Sequence, residues 1–156
     1  MLCSDSDTRH LEQSMTDTNM ELISTISEDN TLELALREID IPQPGENDVI
    51  IRIEAAPINP SDLGVMFSVA DMTTAKQSGS AERPVIKAEV PAKFMGAVTK
   101  RVGKAIPVGN EGAGIVVAAG SSAAAQSLMG KTVAFIGGGS YRKYLRANVQ
   151  SCLELE

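Results

Sequence analysis

Glycine and proline cut this chain into short pieces, and that punctuation limits the fold more than any other feature. Thirteen glycines and seven prolines lie among its 156 residues, and from Pro42 onward they leave little room for long helices. Between them run short apolar segments with the period of a strand. Asp48–Ala55 (DVIIRIEA) alternates well, with Val49, Ile51 and Ile53 on one face and Ile50, Arg52 and Glu54 on the other. Glu21–Ser27 and Leu32–Ile39 alternate in part, and Glu28-Asp29-Asn30 between them reads as the turn of a hairpin. Pro84–Glu89, Ile115–Ala119, Lys131–Ile136, Ser140–Val149 and Cys152–Leu155 are further strand candidates. Ser61–Phe67 and the stretch around Ala123–Leu128 are the helical candidates. Residues 68–83 are small and polar and read as a loop holding at most one helical turn. Lys93–Lys104, with four bases and no acid, fits neither period. The expected architecture is an all-β, barrel-like domain with little helix.

The length fits one domain. Trp is absent and aromatics make up 3% of the chain, so the core falls to Val, Ile, Leu, Ala and Met. The net charge of -6 is unevenly placed. Residues 1–30 hold seven acids and one arginine, whereas the remaining 126 residues carry 13 acids and 13 bases. This distribution argues against a nucleic-acid surface, which needs a basic face. Residues 1–18 read as a flexible acidic arm and 19–156 as the folded domain. The arm lacks the basic start and apolar centre of a secretory signal, and no run approaches the length of a membrane span. Two cysteines, Cys3 and Cys152, do not make a disulfide framework. A cytoplasmic protein with reduced thiols and no membrane partner is the expectation.

Several chemistries are excluded by residue supply. The single histidine, His10, lies in the polar arm, so a Ser-His-Asp triad is not available in the domain. His10, Cys3 and Cys152 do not form a zinc-ligand cluster. The phosphate-cradling Gly-x-x-x-x-Gly-Lys-Ser/Thr loop is absent. Gly137-Gly138-Gly139-Ser140-Tyr141-Arg142 is glycine-rich but misses the Gly-x-Gly-x-x-Gly spacing and precedes a strand, so it reads as a turn.

Two stretches carry the positive signal. One is Asp48–Asp62, a strand running into Asn59-Pro60-Ser61-Asp62. The other is Gly109–Gly120 (GNEGAGIVVAAG), followed by Gly130-Lys131-Thr132-Val133 and then by Gly139-Ser140-Tyr141 and Tyr144. Each motif alone is weak. In this order and spacing, from about residue 20 to residue 156, they resemble the N-terminal GroES-like domain of medium-chain dehydrogenases and reductases. The resemblance is to the zinc-free, NAD(P)H:quinone oxidoreductase-like branch.

The resemblance implies a fold (mainly β, a partly open GroES-like barrel with one or two short helices), a reaction and a set of site residues. The zinc-dependent branch places Cys where Asn59 stands and His where Asn110 stands, and amides are poor zinc ligands beside thiolate and imidazole. No zinc is therefore expected. In the zinc-free relatives, hydride passes from NADPH or NADH to a quinone or enone held in an interdomain cleft. Asn59 and Ser61 are the expected catalytic residues. Asn59 would orient a cofactor or substrate carbonyl, and Ser61 would hydrogen-bond a developing oxyanion. Asn59, Asp62, Asn110 and Glu111 are the expected cofactor contacts.

Plainer roles stand beside these. Ser61 and Asp62 suit a helix cap, Gly112 and Gly114 suit a tight turn into the strand at 115, and Glu111 suits a buried polar partner. The bases Lys93, Lys100, Arg101 and Lys104 suit a solvated face. Gly64 stands where many zinc-free relatives place a tyrosine shortly after Asn-x-x-Asp, which puts tyrosine assistance in doubt.

Asp62 and Gly109 are 47 positions apart, longer than the resemblance implies, so an insertion of about residues 66–107 is expected to serve as a lid or an oligomer contact. Ser78-Gly79-Ser80-Ala81 is its expected flexible tip. The resemblance also places a Rossmann domain beyond Glu156. Without it the chain is expected not to turn over and to self-associate into a homo-oligomer. The alternative is a non-catalytic GroES-like binding module.

Overall fold

A computed structural model describes residues 18–156. The acidic arm expected over 1–18 lies outside the described residues apart from Thr18, as do His10 and Cys3. The strands are β1 (Asn19–Ile26), β2 (Thr31–Ile39), β3 (Asp48–Ala55), β4 (Asp71–Gly79), β5 (Pro84–Glu89), β6 (Ile106–Pro107), β7 (Glu111–Ala119), β8 (Thr132–Ile136), β9 (Tyr144–Asn148) and β10 (Cys152–Glu154). They form two antiparallel five-stranded sheets, ordered β4-β5-β2-β1-β6 and β10-β8-β7-β3-β9. Neither sheet closes on itself, so the mainly β, partly open architecture that the resemblance implies is what forms. Helices are few and short: α1 (Pro60–Phe67), α2 (Met95–Val98) and α3 (Ala123–Ser127). No described helix is long and apolar enough to cross a membrane.

The alternating segment Asp48–Ala55 becomes the middle of the second sheet, with β7 on one side and β9 on the other. Val49 and Ile51 pack into a core with Val116, Val133, Phe135, Leu145 and Ala147. Ile50 is buried too, although it shares its face of the strand with the exposed Arg52 and Glu54. The pairing with β7 shifts between Ile50 and Ile51: Ile50 opposes Ala118 and Ile51 opposes Val116, which leaves Val117 as the extra residue of a bulge.

Smaller clusters fill the first sheet. Ile26, Leu32, Val90 and Val98 form one, and Leu34, Met66 and Val108 form the other, which seats α1. The β1–β2 hairpin turns at Asn30, whose φ of 63° is tolerated by asparagine.

The two sheets are stitched through a strap, residues 139–143. Leu22 N–H donates to the Tyr141 carbonyl at 2.8 Å, Lys143 N–H to Met20 at 3.1 Å, and Ile53 N–H to Lys143 at 2.9 Å. Fully buried Asn19 extends the seam with its side chain. Its amide donates to the Tyr144 carbonyl at 2.9 Å and accepts the Tyr144 N–H at 3.0 Å, standing in for a paired strand residue. Glu21, also buried, takes Arg37 on one oxygen and Arg142 on the other, the latter at 2.7 Å. Arg142 in turn donates to the Gly139 carbonyl. The charges compensate each other where neither alone is tolerated.

Three expectations are corrected. Residues 68–83 are not a loop: Asp71–Gly79 is a strand, held by pairing with β5 and with nearly all its side chains exposed. A strand with no buried face has no alternation to read. Lys93–Lys104 resolves into short helical turns around α2, on which Val98 is buried. Gly112 and Gly114 do not form a turn; they lie within β7, where β3 passes unusually close. A Cβ on Gly114 would stand 2.1 Å from the Arg52 carbonyl oxygen.

The Gly114→Ala variant is therefore expected to lose about 1–3 kcal/mol, the usual cost of overpacking, measured as a lower midpoint in urea. An unchanged midpoint would show that β3 and β7 can separate freely.

Candidate functional site

Helix α1 begins where its sequence dictates. Pro60 occupies the first helical position, where no amide hydrogen is needed, and it holds Asn59 extended at ψ 159°. Asp62 Oδ2 accepts the Asn59 backbone N–H at 2.8 Å, one half of a capping box. The capping role expected of Asp62 is met, but Ser61 sits inside the helix with its side chain exposed. The Asn59 side chain turns away from the helix and donates to Glu111 Oε1 at 2.7 Å.

The turn entering β7 brings the other half. Gly109 adopts a φ of 95°, and a Cβ there would fall 2.1 Å from Ser140 Oγ. Only glycine lets this turn lie against the strap, and the Gly109 carbonyl accepts the Gly139 N–H at 2.7 Å. Asn110 follows. Its Nδ2 donates to Asp62 Oδ1 at 2.7 Å and to Ser61 Oγ at 3.1 Å. All five residues named from the sequence (Asn59, Ser61, Asp62, Asn110 and Glu111) thus meet in one hydrogen-bonded cluster.

Burial divides their roles. Asp62, expected among the cofactor contacts by resemblance, is 0% exposed and is hydrogen-bonded to Asn59, Asn110 and Tyr141. Asn59 and Glu111 are half-buried and spent largely on each other. Ser61 and Asn110 are exposed.

A sixth member was named in the sequence only as part of a motif, with no site role. Tyr141, on the strap, shares its one hydroxyl hydrogen between the Pro57 carbonyl at 2.8 Å and Asp62 Oδ2 at 3.2 Å. Gly64 had put tyrosine assistance in doubt, yet a tyrosine reaches the cluster from the far end of the chain. In the sequence Tyr141 stands only within a glycine-rich turn and as one landmark of the motif order, with no local pattern that points to Asp62. Burial, and then the Asp62 carboxylate beside it, push the Tyr141 phenol above its ordinary value of 10.0.

The C-terminal end of α1 is held as firmly. Arg101 donates to the Val65 carbonyl at 2.9 Å and to Ser24 Oγ at 3.1 Å, and Ser24 donates to the Met66 carbonyl at 3.0 Å. A cation at the last turn complements the free carbonyls and the helix dipole. Arg101 is thus no part of a solvated face, and burial lowers its pKa. On the outer side, an apolar groove of about 670 Å³ begins at Glu111 and runs along Gly112, Phe135, Ile136 and Leu153.

The sequence profile of the alcohol dehydrogenase GroES-like domain matches residues 45–156, which contain the whole cluster. The chain belongs to this family. No curated protein sequence resembles it closely enough to count as a match.

Solved structures share the fold at low identity. A protein described as an NADPH:quinone reductase from Mesorhizobium loti is 24% identical with a TM-score of 0.55, covering 91% of this GroES-like chain and 38% of its own. The quinone oxidoreductase from Coxiella burnetii is 19% identical with a TM-score of 0.53, covering 88% and 38%. The CurK enoyl reductase is 17% identical with a TM-score of 0.58, covering 90% and 36%. The chain thus spans well under half the length of these enzymes.

The raised Tyr141 pKa has a signed consequence. Stability from a neutral, partly buried phenol is complete below about pH 10 and is lost as pH rises through the folded value. Stability is expected to fall more steeply above about pH 10 in the wild-type chain than in Tyr141→Phe, followed by urea unfolding across the alkaline range. Parallel curves would mean that the Asp62 contact does not form.

Proposed function

We propose that this chain is the substrate-side domain of an NAD(P)H-dependent quinone or enone reductase that works without zinc. The observation that carries the reading is the state of Ser61. Its oxygen already accepts from Asn110, so its own hydrogen is left to give, at an exposed position on a helix fixed at both ends. A hydroxyl held this way is suited to a carbonyl oxygen that gains negative charge during reduction. The neighbouring apolar groove suits the flat body of a quinone or a conjugated chain.

The donor set fits a nicotinamide cofactor in one respect. The exposed polar groups of the cluster are an uncharged hydroxyl and an uncharged amide, which match a carboxamide or a ketone. When bound, the nicotinamide supplies the hydride. The chain's own part is to orient the carbonyl through Ser61, to keep Ser61 in register through Asn110 and Asp62, and to leave Asn59 and Glu111 as a fixed wall.

The chemistry of the two metal positions supports zinc independence. Both are amides, and each donates to a carboxylate. Among the described residues, no group of three or more His, Cys, Asp and Glu side chains gathers to hold a metal.

Ser61→Ala is expected to weaken binding of a naphthoquinone to the chain about tenfold, the value of one well-placed hydrogen bond, by titration calorimetry. An unchanged affinity would leave a binding module without a carbonyl site. Elemental analysis of chain purified from zinc-supplemented medium is expected to find substoichiometric zinc; one equivalent would overturn the zinc-free reading.

A further inference from the structure

We infer that the site selects conjugated carbonyl compounds that carry an N–H or un-ionised O–H beside the carbonyl, and that Asn110 reads this second group. The inference rests on the reading of Ser61 just given and names the ligand class it would take.

The argument begins at Asp62. A carboxylate oxygen only accepts hydrogen bonds. Asp62 is sealed from solvent, and its Oδ2 already takes the Asn59 N–H, with Tyr141 beside it. Its Oδ1 therefore needs a donor, and the group in reach is the Asn110 amide at 2.7 Å. That contact decides which way round the amide lies. The reverse orientation would press two acceptors together with no hydrogen between them, at the buried end of the cluster.

Asn110 Nδ2 has two hydrogens, and both are used: one on Asp62 Oδ1, the other on Ser61 Oγ. Among the described residues, no donor reaches Asn110 Oδ1, and the residue is exposed. Two polar atoms are thus left for a ligand, and their characters are opposite. Ser61 offers a hydrogen; Asn110 offers an acceptor. Their polarity is set from beneath by one buried carboxylate.

A plain quinone brings only acceptors. It satisfies Ser61 and strips water from Asn110 Oδ1 without replacing it, at the cost of an unmade hydrogen bond. A carboxylate or phosphate places negative charge near an acceptor and above Asp62, and is worse. A ligand with a carbonyl and an adjacent N–H or O–H, such as an aminoquinone or the amide of a conjugated acid, satisfies both atoms at once. Discrimination by an unpaired polar group exceeds discrimination by shape.

The test compares two isosteric probes, 2,3-dimethylnaphthoquinone and 2-amino-3-methylnaphthoquinone. Both ring positions are blocked in each, so neither adds to Cys3 or Cys152. Titration calorimetry on the full chain at neutral pH is expected to show the amino compound binding about five- to tenfold tighter. The Asn110 side-chain amide signals should shift on addition of either probe in NMR spectra. In Asn110→Ala the ratio of affinities is expected to fall to about one, whereas in Ser61→Ala both affinities drop and the ratio persists.

Equal binding of the two probes to the wild-type chain overturns the inference, and a Ser61→Ala loss in that case leaves the carbonyl reading standing. Binding of neither probe, or binding indifferent to Ser61→Ala, overturns both. The wild-type ratio decides the matter even if Asn110→Ala does not fold.

Discussion

Three segments far apart in sequence converge on the Asp62 carboxylate. Asn59 comes from the start of the same helix, Asn110 from the turn before β7, and Tyr141 from the strap that joins the two sheets. A carboxylate withdrawn from water is costly unless donors replace the lost hydration, and here the donors are uncharged. The cost of leaving any of them out ties α1, the β7 turn and the strap to one geometry. The requirement for glycine at 109 follows from this convergence, because a side chain there would hold the turn off the strap.

Beneath that cluster lies a second one built on formal charge. Glu21 bridges Arg37 and Arg142, and Arg142 secures the Gly139 carbonyl at the start of the strap. The strap then bonds to both sheets and presents Tyr141. A buried ion group of this kind adds little net stability compared with an apolar equivalent, but it penalises every arrangement in which the partners part. It specifies where the strap crosses, and thereby how the candidate site is assembled from below.

Much of this was legible in sequence because local rules acted alone. The alternation of Asp48–Ala55, the turn at Glu28-Asp29-Asn30, and Pro60 at a helix start each report a local preference, and the structure follows them. The clustering of Asn59, Ser61, Asp62, Asn110 and Glu111 was reachable through motif order. Strand β4 was not legible, because both its faces are exposed and its pairing with β5 supplies the only instruction. Tyr141 and Arg101 were missed for a related reason. Their roles depend on contacts across long sequence separations, to Asp62 and to Val65, and neither has a local pattern to announce it. Gly112 and Gly114 were assigned the right property, freedom from a side chain, for the wrong purpose: close passage of a neighbouring strand instead of a bend.

The residues between Asp62 and Gly109 divide into two parts with different fates. The β4–β5 hairpin hangs on the edge of the first sheet and turns through Gly79 at a φ of 81°. It shares no hydrogen bond with the Asp62 cluster. The helical turns after Pro91 instead return Arg101 to the last carbonyls of α1. The hairpin's outer strand β4 and its turn, nearly all exposed, are free to lengthen, shrink or change their surface while the site stays the same, whereas β5 sets Ile86 against the cluster that seats α1. The stretch that carries Arg101 has no such freedom: a deletion there would release the helix on which Ser61 stands. What reads in sequence as one insertion is a variable ornament followed by a structural return.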